Sequence, residues 1–231
     1  MQTNSNECNS CCETSKNTFN MDAHFIAPNP VTSFNSHSVY PDIDKSAYVG
    51  PFSTVIGDVT IKENVFIAPN VSIRADEGFP IFIDCNTNLQ DGVILHGLLH
   101  GRVNHYDNTY SIYIGRNVSC AHGALIHGPC KIGNHVFIGF HVTILDAIIG
   151  DGCFLSINAV VTGGIQVKPN SFIPIGAVID TQEKADKLRC VTESEIAFAK
   201  EVQFVNMQFP DAYSRIYGKT KDSCSLKCDC C

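Results

Sequence analysis

The chain has 231 residues, of which 44% are hydrophobic, so it is long enough for one domain with a sizeable core. Its net charge of −7 argues against a nucleic-acid partner, and no basic, aromatic-rich patch offsets that balance. No apolar run reaches the length needed to cross a bilayer, so we expect no membrane contact.

Residues 1–26 form the predicted N-terminal tail. Its beginning is polar and lacks the apolar centre of a signal peptide, which favours disorder and a cytoplasmic protein. Seven of the twelve cysteines lie in this tail or in the C-terminal segment 210–231, where burial does not explain them: Cys8, Cys11, Cys12, Cys224, Cys228, Cys230 and Cys231. Their spacing matches no zinc-finger pattern. Two interpretations stay open: disulfide cross-linking into a larger assembly, which we favour, and adventitious capture of a soft metal.

Residues 27–181 contain a six-residue apolar repeat. A helix has a period of 3.6 residues and a simple strand a period of 2, so neither produces this spacing. A strict hexad is typical of a parallel β-solenoid, in which three hexads close one coil of eighteen residues and the repeated side chain points inward. The predicted fold class is therefore an all-β solenoid. The inward positions are Ile43, Val49, Val55, Ile61, Ile67, Ile73, Ile83, Leu89, Leu95, Ile114, Cys120, Ile126, Ile132, Ile138 and Ile144, then, after a slip of one residue, Ile149, Leu155, Val161, Val167, Ile173 and Ile179.

Two insertions interrupt the repeat. Four extra residues fall within 76–80, and a bulge there would project Arg74, Asp76 and Glu77 sideways. An Arg–Asp pair on the surface is usually worth little, whereas at a buried interface its bidentate geometry sets the register, and these residues alone leave both interpretations open. The second insertion is the loop 98–110, which we expect at the mouth of an active site as a gate, a proton relay or a spacer.

Three histidines occupy related positions of the repeat. His96 and His127 each follow an inward aliphatic residue by one and lie 31 residues apart, which is one coil plus the loop 98–110. They should therefore stack about 4.8 Å apart on one face, a spacing that allows both imidazoles to bind one metal ion. His122 lies around a corner on the preceding face, so it would reach the metal of a neighbouring chain. That arrangement requires a cyclic homo-oligomer, and a trimer matches the prism. Three histidines with an open fourth position are typical of catalytic zinc.

The pattern becomes helical after the last coil. Residues 182–188 suggest a short linking helix, and 192–195 (TESE) form a capping box before apolar residues at helical spacing. We expect the segment 182–209 to pack along the prism and cover one sheet face. Residues 210–231 are assigned to a Cys-rich C-terminal tail.

Three motifs resemble a known family: SIRADEG at 72–78, NLQDGVILH at 88–96 and AHGALIHG at 121–128. They are similar to the gamma-class carbonic anhydrases, and HGLLHGRV and ALIHGPCKIG are especially similar to the gamma-carbonic-anhydrase domain of carboxysomal assembly proteins. The resemblance extends over about residues 39–209. It implies a left-handed parallel β-helix with a C-terminal α-helix, assembled as a homotrimer with a metal between subunits.

The resemblance also implies roles for individual residues. The metal ligands would be His96, His122 and His127; Gln90, supported by Asn88, would hydrogen-bond the reactive oxygen, and Asn206 would help to seat carbon dioxide. Arg74 and Asp76 resemble a pair that crosses the subunit interface, and Glu77 resembles an active-site carboxylate. The cofactor would be zinc, or iron(II) or cobalt, since imidazoles accept each.

The sequence departs from the family at two positions. Leu99 occupies the place of a proton-shuttling glutamate, and His100 is the nearest titratable substitute, although a solvated loop histidine is the commoner situation. Phe204 occupies the place of a tyrosine. The predicted function is reversible hydration of carbon dioxide to bicarbonate by a metal-activated hydroxide. Two alternatives stay open: a catalytically weak, metal-binding trimeric scaffold cross-linked through its tails, and a metal-free hexapeptide-repeat acyltransferase.

Overall fold

The computed structural model describes residues 24–218. Within that range the chain forms a left-handed parallel β-helix followed by α-helices, which confirms the predicted fold class. The tail cysteines lie outside the described residues, so their cross-linking stays a prediction. The strands in chain order are β1 (Phe25–Ala27), β2 (Asp42–Ile43), β3 (Tyr48–Val49), β4 (Thr54–Gly57), β5 (Val59–Ile61), β6 (Phe66–Ile67), β7 (Ser72–Ala75), β8 (Ile81–Ile83), β9 (Asn88–Leu89), β10 (Ile94–His96), β11 (Val103–His105), β12 (Asn108–Tyr110), β13 (Ile112–Ile114), β14 (Ser119–Cys120), β15 (Leu125–Ile132), β16 (Phe137–Ile138), β17 (Thr143–Ile149), β18 (Phe154–Leu155), β19 (Val160–Val167), β20 (Phe172–Ile173) and β21 (Val178–Ile179), and the helices are α1 (Gln182–Asp186), α2 (Glu193–Asn206) and α3 (Phe209–Tyr217).

The strands stack into the three faces of a prism. Face 1 contains β1, β4, β7, β10 and β21; face 2 contains β2, β5, β8 and β13; face 3 contains β3, β6, β9, β14, β16, β18 and β20. The longer strands β15, β17 and β19 cross face 1 and then face 2, so these two faces form one 12-stranded sheet. Because stacked strands are parallel and in register, residues one coil apart lie side by side.

The repeated aliphatic side chains form the core. All of the predicted inward residues are at most 5% exposed except Ile43, which is half-buried at the first coil. Burying an aliphatic side chain of this size contributes roughly 1.5–3 kcal/mol, so the stacked column is the main stabilising element of the β-helix.

The one-residue slip of the repeat has a simple cause. Where β15 turns from face 1 to face 2, the corner contains Gly128 and Pro129, and in β19 it contains Gly163 and Gly164. In β17, between them, the corner is the single residue Asp146, which adopts a left-handed conformation with φ of 51°. The coil is therefore one residue shorter while its strands stay in register.

The insertion 98–110 forms a β-hairpin, which the sequence did not predict. Strands β11 and β12 pair antiparallel, and the hairpin packs on face 2, where the His105 ring stacks on Tyr113 at 3.8 Å and Tyr110 contacts Phe82 at 5.5 Å. Removing these residues from the coil brings β10 and β15 into direct pairing.

Helices α2 and α3 cover face 3, whereas α1 contacts β19 and β21. The predicted capping box is present, because the Thr192 hydroxyl accepts from the Glu195 amide and the Glu195 carboxylate accepts from the Thr192 amide. Phe198 of α2 packs edge-on against Phe137 at 5.4 Å. Helix α3, which the sequence did not predict, packs its aromatic side chains against Phe66. No helix within residues 24–218 has both the length and the apolar character to span a bilayer.

Candidate metal centre

His96 and His127 lie side by side on face 1. The pairing of β10 with β15 sets His96 opposite His127, and both side chains point outward because the buried Leu95 and Ile126 precede them. The Nδ1 atom of His96 is 3.2 Å from the Nε2 atom of His127. Two imidazole nitrogens bound to one tetrahedral zinc ion at about 2.0–2.1 Å would lie about 3.3 Å apart. The pair therefore has the spacing of two ligands of one ion.

The hydrogen bonds of the two rings strengthen this assignment. His96 Nε2 is 3.1 Å from a carboxylate oxygen of Asp76, and His127 Nδ1 is 3.2 Å from the carbonyl oxygen of Gly128. Both partners only accept, so in the neutral rings Nε2 of His96 and Nδ1 of His127 have the protons. The two facing nitrogens then present lone pairs to each other with no proton between them. A cation between the two facing nitrogens would accept both lone pairs. A carboxylate such as Asp76, bonded to the other nitrogen of His96, is the usual outer partner of a metal-binding imidazole.

The bulge 76–80 places further charges beside His96. The Arg74 guanidinium lies 3.2 Å from Asp76 in the same chain, and a carboxylate oxygen of Glu77 lies 3.6 Å from His96 Nε2. His96 and Asp76 are only 15% and 16% exposed, whereas Arg74 is 45% exposed. Asp76 thus links the outward-facing arginine to the half-buried imidazole pair.

His122 lies apart from the other two histidines. It occupies the corner between faces 3 and 1, where its Nδ1 is 3.0 Å from a carboxylate oxygen of Asp91 and its ring stacks on Phe140. The carboxylate fixes the Nδ1–H tautomer, so Nε2 is free to bind a metal. Within residues 24–218, no group of three or more His, Cys, Asp or Glu side chains is arranged to hold a metal ion. The third ligand proposed from the sequence therefore does not join the pair inside one chain.

The two cysteines nearest the histidines are not candidate ligands. Cys120 and Cys130 point into the core, and burial raises the pKa of the Cys120 thiol and raises that of Cys130 to about 12. A thiol binds a metal as the thiolate, which these two groups do not form near neutral pH.

Two amide side chains lie beside His122, and a third, Asn88, supports one of them. Gln90, buried at 6% exposure, donates through Nε2 to Asn88 Oδ1 at 3.2 Å, as expected if Asn88 supports it. Asn206 at the end of α2 is 8% exposed and donates to its own helix at the Val202 carbonyl. Gln90, His122 and Asn206 line one groove between the β-helix and α2.

Two other predicted residues lie outside this cluster, and one contributor was missed. His100 and Phe204 are exposed. Gln203 of α2 binds Asn88 and was not identified from the sequence. Its spacing of three residues before Asn206 places both on one face of the helix and was the available signal.

No family model matches the chain. It is 37% identical over 201 residues to the carbonic anhydrase of Methanosarcina thermophila, covering 81% of each chain. It is also 44% identical over 185 residues to the carboxysome assembly protein CcmM of a Nostoc species; the match covers 80% of this chain and 33% of that protein, so the chain spans about a third of that relative. Among solved structures, a putative acetyltransferase from Bacillus cereus shares the fold with a TM-score of 0.67 at 23% identity, over 84% of this chain and 99% of that one. The chain belongs to the gamma-class carbonic anhydrase family.

Proposed function

We propose that this chain catalyses the reversible hydration of carbon dioxide to bicarbonate at metal sites between the subunits of a homotrimer. The observation that supports this most is the pair of facing lone pairs on His96 and His127, 3.2 Å apart, in a member of this family. In the proposed site these two nitrogens and Nε2 of His122 from a neighbouring copy hold zinc, iron(II) or cobalt. The bound cation lowers the pKa of water from 15.7 towards about 7.

The trimer is proposed from where the exposed apolar side chains lie. On the corner that bears His122, the next coils place Phe140, Ile157 and Ile175 in one column, and all three are exposed. Face 1, which the helices α2 and α3 leave uncovered, exposes Leu145 beside His127 and Val178 in the last coil. Seating the corner of one copy on face 1 of the next buries both apolar sets and brings His122 to the histidine pair. The contact joins different surfaces, so in the proposed trimer a three-fold rotation closes it as a ring.

Each side chain then has a role that its geometry allows. Gln90 accepts a hydrogen bond from the attacking water and holds it in line, and Asn206 hydrogen-bonds a carbon dioxide oxygen. The apolar groove beside them, lined by Phe140 and Val202, suits a small uncharged substrate. Glu77, next to His96, accepts the released proton, and the exposed His100 offers a second route to solvent.

The test combines metal analysis, solution mass and carbon dioxide hydration on the wild type and on His122→Ala. The variant should lose metal and lose at least about a hundredfold in hydration rate, because two imidazoles remain where three are needed. His135→Asn is the matched control, since His135 is exposed on another corner with φ of 57°, which asparagine tolerates. A monomeric wild type, or full metal occupancy in His122→Ala, would rule out the shared site.

A metal-binding scaffold of low activity is the second candidate. Leu99 places an alkyl group where the family has a proton-shuttling carboxylate, and the similarity to a carboxysome assembly protein points the same way. A trimer with full metal occupancy that forms no bicarbonate in stopped-flow, under reducing and oxidising conditions, would establish the scaffold. A purified protein free of metal would favour the acyltransferase alternative.

A further inference from the structure

Helix α2 is joined to face 3 by a chain of amide side chains that ends at Gln90. Gln203 donates through Nε2 to the Asn86 carbonyl, and its Oε1 lies 3.1 Å from Asn88 Nδ2 and 2.9 Å from the Ser119 hydroxyl. Asn88 Nδ2 also donates to the Ser119 hydroxyl at 2.8 Å, and Asn88 Oδ1 accepts from Gln90 Nε2 at 3.2 Å. These bonds connect the helix to the floor of the groove.

The direction of every bond in this chain follows from its first member. A backbone carbonyl only accepts, so the amide nitrogen of Gln203 must face Asn86 and its oxygen must face Asn88. That oxygen also only accepts, so Asn88 must turn its nitrogen toward Gln203 and its oxygen toward Gln90. Gln90 must then donate through Nε2. Its Oε1 has no hydrogen-bond partner within residues 24–218 and is not sealed from solvent, so it is presented to the groove.

We propose that Gln203 is a positioning residue, which fixes the orientation of Asn88 and thereby makes Gln90 present an acceptor rather than a donor. The inference rests on the proposed function and deepens it. An acceptor at this point takes the hydrogen bond of the water that adds to carbon dioxide and so directs an oxygen lone pair at the carbon. A donor would occupy that lone pair instead. Without Gln203, Asn88 Nδ2 keeps the Ser119 hydroxyl, which both donates and accepts and so allows either orientation, and a contact to the Val118 carbonyl that is long at 3.5 Å and therefore weak.

Two substitutions separate this role from simple support of the helix. Gln203→Met has similar length and removes both polar atoms, whereas Gln203→Glu keeps the acceptor for Asn88 and loses the donor to Asn86. Gln208→Met is the matched control, because Gln208 lies between α2 and α3, is exposed, and its side chain donates to the Phe204 carbonyl rather than to the amide chain. The measurements are kcat and KM for hydration, metal content, melting temperature and the ¹⁵N side-chain amide signal of Gln90, which its absence in Gln90→Leu identifies.

Gln203→Met should lower kcat by about tenfold with little change in KM or metal content, as expected for loss of an outer hydrogen bond, and should shift the Gln90 signal. Gln203→Glu should melt at a lower temperature, since its carboxylate faces a carbonyl, yet keep the Gln90 signal and a kcat within about threefold of wild type. Gln208→Met should match wild type.

An unchanged Gln90 signal in Gln203→Met would overturn the inference, as would activities that simply follow the melting temperatures, with Gln203→Glu lowest. If the wild type hydrates no carbon dioxide, the proposed function fails. The Gln90 signal then decides the orientation inference by itself.

Discussion

Replacing Asp76 by asparagine tests whether the carboxylate holds His96 ready for a metal. Asp76 accepts from His96 Nε2 at 3.1 Å and forms an ion pair with the Arg74 guanidinium at 3.2 Å. Asparagine has one acceptor oxygen, so it can serve one of these donors only while turning its own N–H groups toward the other. The proton on His96 Nε2 is then no longer fixed, and Nδ1 no longer presents its lone pair in every molecule.

The size of the effect follows from the exposure of each partner. A hydrogen bond to a charged group contributes about 1.5–3 kcal/mol. We assign the His96–Asp76 contact to the lower part of that range, because the two side chains are still 15% and 16% exposed. Arg74 is 45% exposed, so solvent screening reduces its share to below about 1 kcal/mol. A loss of about 1.5–2 kcal/mol corresponds to metal affinity weaker by about 10–30-fold.

The assay is a competition titration of zinc against a chromophoric chelator at neutral pH, at a protein concentration where the solution mass is constant. Asp107→Asn is the control, because Asp107 is exposed between β11 and β12 on the hairpin. Circular dichroism confirms that both variants are folded. Equal zinc affinity in Asp76→Asn and wild type would refute the reasoning.

Three further predictions concern stability. Ile126→Ala should lower the free energy of unfolding by about 3–5 kcal/mol, because coils on both sides hold the cavity open. Ile179→Ala should lower it by only about 2 kcal/mol, because Ile179 lies in the last strand. Equal shifts of the urea midpoint in the two variants would contradict this. Burial raises the pKa of the Cys130 thiol from 9.0 to about 12, so the stability that this buried thiol contributes below pH 9 is lost as the pH rises towards 12. Peptide mapping after alkylation at pH 9 should therefore find Cys130 modified only in denaturant. The hydrogen bond from Arg189 holds the pKa of the Glu195 carboxyl at about 2, so the stabilisation of α2 by this carboxylate is present above pH 4.5 and lost as the pH falls towards 2. Glu195→Gln should therefore reduce the fall in melting temperature between pH 5 and pH 3. A fall as large as in the wild type would refute this.

Much of the architecture could be predicted from the sequence because every coil of a β-helix repeats the same local burial pattern. Each coil must bury one side chain per face, so the hexad specified the inward residues and, through them, the register that pairs His96 with His127. The insertion 98–110 was located by the same counting, since a coil cannot absorb thirteen extra residues. Its hairpin was not predicted, because its packing depends on Phe82 and Tyr113, which the folding of distant strands brings to face 2.

The sequence alone thus determined the core, the faces and the stacking of His96 with His127, because these follow from a spacing that the backbone ladder enforces. Only the tertiary structure decided which nitrogen of each imidazole has its proton, since that depends on Asp76, Asp91 and the Gly128 carbonyl. It also decided the polarity of the amide chain that ends at Gln90, because the contact between Gln203 and Asn88 joins residues 115 positions apart. Local periodicity specifies where a side chain points, whereas the direction of a hydrogen bond requires both partners in place.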